Sequence, residues 1–135
     1  MIIQTYKSRT DVNGKRVETT WPELARRLSR PTYTKETMDD YAAMSNDVRG
    51  KIKDVGGFVG GEMSGKRSAQ NAGNRWLVTL DIDHAGGSVD WEEFNMLNTT
   101  DDGEVYNCAM YPTHSYTPSD PHVRWVFPLA RSVDR

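Results

Sequence analysis

The sequence has little cysteine, few aliphatic side chains and almost no net charge. A single cysteine, Cys108, excludes an internal disulfide and suits a reducing compartment. Leu, Ile, Val and Phe make up only about 18% of the chain, which is low for a folded protein. However, 17 basic side chains nearly balance 19 acidic ones, and four Trp and six Tyr add large buriable surfaces. We therefore expect a folded chain with one small core.

Long apolar runs and a signal peptide are also missing. The longest apolar runs, such as Trp76 to Leu80, are much shorter than the roughly 20 residues that a membrane span needs. The N-terminal residues lack the charged start, apolar middle and cleavage site of a signal peptide. We expect a single cytoplasmic domain over residues 1–135 that does not contact a membrane. The net charge of -2 argues against a uniformly basic surface for nucleic acid, so any contact with an anion has to be local.

Turn and cap signals predict an α+β fold, with a mixed or antiparallel sheet and helices packed against one face. Strands are predicted at Ile2–Tyr6, Trp76–Asp83, Val105–Met110 and Val123–Phe127, and a hairpin turn at Asp11–Gly14. Helices are predicted after Thr20, from Asp90, and from Thr34 to Gly56, where apolar residues follow spacings of three, four and seven. The order of elements is mixed rather than strictly alternating, which argues against a parallel βαβ sheet.

Glycine is concentrated in about a quarter of the chain, where eight of the 11 glycines lie between Gly56 and Gly87. We expect this region to hold unusual backbone turns or to bring the main chain close to another group. We also expect the functional residues to lie here. Residues 60–67 match the spacing of a phosphate loop, but Arg67 replaces the Ser or Thr that binds magnesium in that loop, which argues against it. The basic turn of Lys66 and Arg67 either contacts a nucleic-acid backbone or a triphosphate, or is a solvated loop.

Two carboxylates, Asp81 and Asp83, end an apolar strand. Side chains alternate along a strand, so both acids point to one face, while Leu80 and Ile82 are expected to point to the other face, into the core. Neighbouring like charges repel and raise one pKa, so this pattern favours a cation between them. Mg²⁺ or Mn²⁺ prefers oxygen ligands and could bridge the two acids to phosphate oxygens. The alternative is that both acids only end the strand and accept hydrogen bonds from the glycine turn that follows.

A further group of polar residues lies where later predicted strands begin or end. His114 stands between Thr113 and Ser115, where it can donate to a phosphate and titrate near neutral pH; a structural role is the alternative. Arg124 alternates with apolar residues, so it either reaches the rim of the sheet or offers its guanidinium to a phosphate. His84 is either a third metal ligand or a group outside the metal's ligand shell.

Three of these patterns follow one another along the chain: Leu80-Asp81-Ile82-Asp83, then Thr113-His114-Ser115, then the arginine-bearing strand that ends Phe127-Pro128-Leu129. In this order and spacing they resemble the catalytic core of archaeo-eukaryotic-type primases, the primase-polymerase superfamily. The stretch from Ile52 to Gly61 is similar to phage and prophage members in which this core precedes a helicase. The resemblance covers nearly the whole chain.

The resemblance implies a modified RNA-recognition-type sheet in which Asp81 and Asp83 hold Mg²⁺ or Mn²⁺. These ions would activate a primer hydroxyl and bind an incoming nucleoside triphosphate on a DNA template. Phosphoryl transfer depends on positioning and charge neutralisation more than on covalent chemistry, which agrees with such a site. By the same resemblance the catalytic residues are Asp81, Asp83 and His114, and the nucleotide contacts are His114, Ser115, Arg124, Lys66 and Arg67.

One part of the family pattern is not found in the sequence. The family has a third acidic ligand on a later strand, and Asp134 is too early to match it. Asp101, Asp102 and Glu104 lie in a predicted polar loop and are not nominated in its place. The resemblance therefore implies the first half or two thirds of a nucleotidyltransferase core, with a helicase domain or the remainder of the core as partner.

Two other functions are compatible with these residues. The first is a non-catalytic module that binds nucleotide or nucleic acid and keeps the primase scaffold without the full metal set. The second is a metal-dependent hydrolase that uses Asp81, Asp83 and His84.

Overall fold

The computed structural model describes residues 1–83, 92 and 98–134. Within these residues the chain forms seven strands and three short helices, and the predicted α+β class is confirmed. The elements are β1 (Ile2–Tyr6), β2 (Lys15–Glu18), α1 (Trp21–Leu28), α2 (Met38–Ala43), α3 (Asn46–Ile52), β3 (Gly57–Val59), β4 (Gly61–Met63), β5 (Ala72–Ile82), β6 (Ala109–Pro112) and β7 (Val123–Val133). The helix start predicted at Asp90 lies outside the described residues.

The strands form two antiparallel sheets. The first has the order β2-β1-β3, and the hairpin predicted after Tyr6 joins β1 to β2. Asp11 holds this turn, because its carboxylate accepts hydrogen bonds from the backbone N–H of Lys7 at 3.0 Å and of Asn13 at 2.9 Å. These two bonds favour the charged form and lower the pKa of Asp11. The second sheet has the order β4-β5-β7-β6, so the two longest strands, β5 and β7, are neighbours at its centre.

A buried hydrophobic cluster lies against one face of the second sheet. Ile3, Leu24, Leu77 and Val126 form one buried cluster, so β1 and α1 cover the face of β5 and β7 that carries Leu77 and Val126. Because strand residues alternate, Leu80 lies on the opposite face and is 47% exposed. The expectation that Leu80 points into the core is therefore wrong. Asp81 lies instead on the face that continues the core.

The first helix begins as its sequence indicates. The hydroxyl of Thr20 accepts from the backbone N–H of Glu23, and the carboxylate of Glu23 accepts from the backbone N–H of Thr20. This capping box satisfies donors that have no partner within the helix, and Pro22 lies in the first turn, where its missing N–H costs nothing. Leu24 is the residue of α1 that becomes buried.

The single helix predicted from Thr34 to Gly56 is wrong. The chain forms two shorter helices, α2 and α3, because Met44 and Ser45 adopt extended backbone between them. The first of these helices begins at Thr37, whose hydroxyl and the carboxylate of Asp40 form a second capping box. The seven-residue spacing of apolar residues that favoured one helix therefore spans a break.

The strand predicted at Val105–Met110 is displaced toward the C-terminus. Strand β6 begins at Ala109, and Val105 makes only an isolated bridge to Thr99. The apolar side chain of Val105 is 67% exposed, so no packing holds it in a sheet. The strand predicted at Val123–Phe127 is present and continues to Val133 as β7.

The glycine-rich region serves backbone geometry, as expected, at Gly56 and Gly60. Gly56 has φ +90°, and a Cβ there would lie 2.6 Å from the carbonyl oxygen of Tyr6. At Gly60 a Cβ would lie 2.5 Å from the Cβ of Leu77. Both glycines therefore allow the backbone to lie against neighbouring strands. Strand β4, rather than a helix, follows Gly60, which agrees with the argument against a phosphate loop.

Candidate functional site

The predicted acids lie at one end of the second sheet, where charged residues of β5 and β7 face each other. Asp81 is the register partner of Arg124 on β7, and Arg124 is the register partner of Tyr111 on β6. Beyond the last of these pairs, the backbone N–H of Thr113 donates to the carbonyl oxygen of His122 at 2.8 Å. The end of β5, the start of β7 and the end of β6 thus lie side by side. A polar row runs across these three strand ends and consists of Asp81, Asp83, His122, Arg124 and Tyr111.

Asp81 and Arg124 form a two-point ion pair. Arg124 donates from Nε to Oδ1 of Asp81 at 2.5 Å and from Nη2 to Oδ2 at 3.0 Å. The side chains are 40% and 45% exposed, so the pair lies at the rim of the sheet rather than inside the core. The hydrogen bonds to Asp81 raise the pKa of Arg124, although partial burial opposes this effect. The guanidinium fork matches the carboxylate and uses both of its oxygens.

Asp83 is held by a histidine that the sequence interpretation did not nominate. His122 approaches Oδ1 of Asp83 through Nδ1 at 2.9 Å and Oδ2 of Asp120 through Nε2 at 3.1 Å. Both ring nitrogens face carboxylate oxygens, and the doubly protonated imidazolium is the form that can donate to both. The hydrogen bond to Asp83, followed by the one to Asp120, raises the pKa of His122.

The four charged residues share one face. Asp81 and Asp83 are two positions apart on one strand and its extension, and their partners Arg124 and His122 are two positions apart on the other. The prediction that both acids point to the same side therefore agrees with these contacts. The sequence contained a signal for the pairing, because two acids at alternate positions oppose two basic residues at alternate positions. Without the register, this signal could not be distinguished from two unrelated charged strand ends.

Tyr111 extends the polar row on β6 and borders a cavity. Burial raises the pKa of the Tyr111 hydroxyl, and the charge of Arg124, its register partner on β7, opposes that change. A cavity of about 270 Å³ lies at this edge of the sheet. It is lined by Met110, Tyr111, Pro112, Tyr116 and Val123, so its walls are mainly apolar and aromatic. Such walls suit a flat ring better than a phosphate group.

His114 lies in the turn after β6 and contacts the N-terminal half of the chain. Its Nε2 is 3.2 Å from the hydroxyl of Thr34, and its ring is 4.6 Å from the ring of Tyr41, centroid to centroid. Its Nδ1 is buried, and no hydrogen-bond partner for it is found in the described part of the chain. Tyr41 is 7% exposed, so His114 joins the turn to α2. Ser115 follows in the same turn and is half-buried.

The structure does not bring Lys66 and Arg67 to the two aspartates. They lie in the turn before β5, whereas Asp81 lies near its other end, and ten residues of extended strand cover about 30 Å. Arg67 is already engaged: its guanidinium donates to the carbonyl oxygen of Arg9 and lies 4.7 Å from the ring centre of Tyr6. Lys66 is exposed. These contacts give Arg67 a role in joining the turn to the first sheet.

This end of the sheet offers the carboxylate oxygens that a divalent ion prefers, but the carboxylate of Asp81 is already bonded to Arg124. Asp81 and Asp83 supply carboxylate oxygens on one face, and their side chains are 45% and 57% exposed. Both oxygens of Asp81 accept from Arg124, and one oxygen of Asp83 faces His122. Residues 1–83, 92 and 98–134 contain no group of three or more His, Cys, Asp or Glu side chains placed to hold a metal ion. His84, considered as a third ligand, lies outside the described residues.

The fold and the site define an α+β domain with an antiparallel sheet that carries paired acidic and basic residues at one end. The family of the VapE N-terminal domain matches residues 1–135, and the chain therefore belongs to this family. The family is associated with replication in phages and prophages. No curated protein and no solved structure was found to match the chain. Among the helices described, none has the length and apolar character needed to cross a membrane.

Proposed function

We propose that this chain supplies the metal- and nucleotide-binding part of a primase-polymerase core, a nucleotidyltransferase of a mobile-element replication protein. The observation that carries the proposal is the position of Asp81 and Asp83, side by side on one exposed face at the end of β5. Arg124, whose guanidinium can bond a phosphate group, lies in contact with Asp81 on the neighbouring strand. Membership of a replication-associated family also supports a role in replication.

In this proposal Asp81 and Asp83 hold Mg²⁺ or Mn²⁺, which supplies neutralisation of the triphosphate charge and activation of a primer hydroxyl. Arg124 contacts the phosphates, because its fork can bond two phosphate oxygens at once. The nucleotide sugar or phosphates contact the turn that holds His114 and Ser115.

The proposal gives Lys66 and Arg67 a separate task. They lie at the opposite end of β5, so we assign them to the backbone of template or primer DNA rather than to the triphosphate. Lys66 is the stronger of the two candidates, because it is exposed while Arg67 is bound to the carbonyl of Arg9. The third acidic ligand of the site comes, in this proposal, from the remainder of the core, and a helicase domain is a further partner.

Titration calorimetry of the 135-residue chain tests the site. We expect manganese with a nucleoside triphosphate to bind the wild type, and an Asp81→Asn, Asp83→Asn double variant to bind at least about tenfold more weakly, because two charged ligands are lost. A matched control, Asp101→Asn with Glu104→Gln, removes two exposed acids from the loop after residue 98 and should bind like the wild type. If the wild type and the aspartate double variant bound manganese with nucleotide equally tightly, the assignment of Asp81 and Asp83 as the metal site would be wrong.

The second candidate function is a non-catalytic module that binds nucleotide or nucleic acid. One observation favours it: both oxygens of Asp81 accept hydrogen bonds from Arg124, as in a structural ion pair. Primer extension with a DNA template separates the two functions. Nucleotide incorporation that is lost in His114→Ala and retained in the Asp101→Asn, Glu104→Gln control would support the enzyme. Binding of nucleotide that is equally tight in Mn²⁺ and in EDTA, without any incorporation, would favour the module.

A further inference from the structure

In the structure the carboxylate of Asp81 is already paired with a cationic side chain of the protein, the guanidinium of Arg124. The guanidinium of Arg124 occupies Oδ1 at 2.5 Å and Oδ2 at 3.0 Å, so the carboxylate is fully engaged before any ligand is considered. The pair is not locked inside the core, since the two side chains are 40% and 45% exposed. Arg124 can therefore move away from Asp81 without opening the core cluster.

A divalent ion and Arg124 compete for the same oxygens. Both are cations, so an ion that binds Asp81 while the guanidinium stays in place meets repulsion at close range as well as a ligand already in use. His122 lies beside Asp83 and adds a second cationic group when it is protonated. Asp81 and Asp83 are thus poorly prepared to bind a metal ion that arrives without a nucleotide.

A triphosphate removes this competition between Arg124 and the metal ion for the oxygens of Asp81. Two oxygens of a phosphate group offer the guanidinium a second two-point acceptor, and the negative charge of the triphosphate screens Arg124 from the metal ion. Once Arg124 bonds to the phosphates, both oxygens of Asp81 are released for metal coordination. Tyr111, the register partner of Arg124 on β6, offers a polar neighbour on the side away from Asp81.

We propose that Arg124 is an exchangeable counter-ion, which neutralises Asp81 until nucleotide binds and then transfers to the triphosphate, so that metal and nucleotide bind cooperatively. This inference rests on the proposed function and adds to it the coupling between the two ligands. The coupling has a definite signature: removing the charge of Arg124 strengthens binding of the metal alone and weakens binding of the nucleotide alone. A purely structural ion pair has no such pair of opposite effects.

The experiment measures each ligand in the absence of the other, on the full 135-residue chain. Free Mn²⁺ is titrated and followed by electron paramagnetic resonance, and ATP is titrated in EDTA and followed by calorimetry. For Arg124→Gln we expect Mn²⁺ affinity to rise by at least about fivefold and ATP affinity to fall by at least about fivefold, the lower range of typical coupling. Arg131→Gln is the matched control, because Arg131 is exposed near the other end of β7, and it should behave like the wild type.

The outcomes separate this inference from the proposed function. If Mn²⁺ with ATP binds the wild type, but Arg124→Gln binds Mn²⁺ no more tightly than the wild type does, the exchange is wrong and the site assignment stands. If the wild type binds neither Mn²⁺ nor Mn²⁺ with ATP, both fail. Arg124→Lys provides a second test should Arg124→Gln unfold in a thermal melt. Lysine keeps the charge that repels the metal ion but loses the fork that bonds two phosphate oxygens, so an ATP affinity below that of the wild type supports the exchange, and an unchanged ATP affinity overturns it.

Discussion

Two regions on the same face of β5 and β7 differ sharply in what holds them together. Around Leu77 and Val126 the face is buried, and it packs against Ile3 and Leu24 from β1 and α1. A few residues further along, at Asp81, the same face leaves the core and its contacts become ion pairs open to solvent. The strands continue without interruption through both regions, so the change from packing to charge follows from where β1 and α1 stop covering the sheet.

The difference teaches which region carries stability and which is available for binding. Burial of apolar surface stabilises a fold strongly, whereas an ion pair exposed by about 40% on each side contributes little to it. The charged end of the sheet can therefore exchange its partners with a small effect on folding. Substitutions that test the two regions should accordingly separate loss of stability from loss of ligand binding.

The largest effect is expected at the centre of the packed region. Leu24 is 2% exposed, so Leu24→Ala leaves a cavity against the sheet and should reduce the free energy of unfolding by about 3 kcal/mol. Urea denaturation followed by circular dichroism measures this change. Val78→Ala is the control, because Val78 is 41% exposed on the opposite face of the same sheet and should cost much less. Similar losses for both variants would contradict the placement of the core.

A smaller effect is expected where the backbone packs closely on the core. A Cβ at Gly60 would lie 2.5 Å from the Cβ of Leu77, so Gly60→Ala should destabilise the fold by about 2 kcal/mol through overpacking. Gly57, on β3, has no atom within 4 Å of an added Cβ. Gly57→Ala should leave the unfolding midpoint unchanged or raise it slightly, because alanine restricts the unfolded chain. Thermal unfolding of the two variants measures both effects. It compares Gly60, where an added Cβ meets Leu77, with Gly57, where an added Cβ meets open space.

The sequence predicts those parts of the fold that depend on local chemistry. Strand β1 and the start of α1 were readable, because alternation and the Thr20 and Glu23 capping pair act over a few residues. The break between α2 and α3 was missed, since the apolar spacing continued across Ser45, which begins α3 with extended backbone. The side of β5 that faces the core was also missed, because it depends on β1 and α1, which are distant in sequence.

The candidate site follows the same rule. The acids Asp81 and Asp83 and their shared face could be inferred from one strand alone. Their partners could not, because the pairing with Arg124 and His122 depends on the antiparallel register of β5 and β7. The contact of His114 with Thr34 joins residues 80 positions apart and has no local signal.

In the charged region, loss of one ion pair should cost much less than loss of core packing. Asp81→Asn removes the charge that Arg124 bonds, and we expect the free energy of unfolding to fall by about 1 kcal/mol or less in 0.1 M salt. Salt screens exposed charges, so the difference from the wild type should shrink further in 1 M NaCl. Urea denaturation at the two salt concentrations measures both values. A loss as large as that of Leu24→Ala would mean that this end of the sheet belongs to the core.

The smallest effect concerns the histidine that faces two carboxylates. The hydrogen bond to Asp83 is the largest cause that raises the pKa of His122 from its ordinary 6.5, and the one to Asp120 is the next. A pKa that is raised in the folded state means that protonated His122 stabilises the fold; this contribution is complete below pH 6.5 and is lost as the pH rises through the raised pKa. Asp83→Asn should therefore lower the pKa of His122 more than Asp120→Asn does, and flatten the decline of stability in that pH range. Titration of the imidazole by nuclear magnetic resonance, with urea denaturation at matching pH values, measures both effects. If the pKa of His122 were the same in the wild type and in Asp83→Asn, the contact between β7 and the end of β5 could not be an ion pair, and Asp83 would have both oxygens available to a ligand.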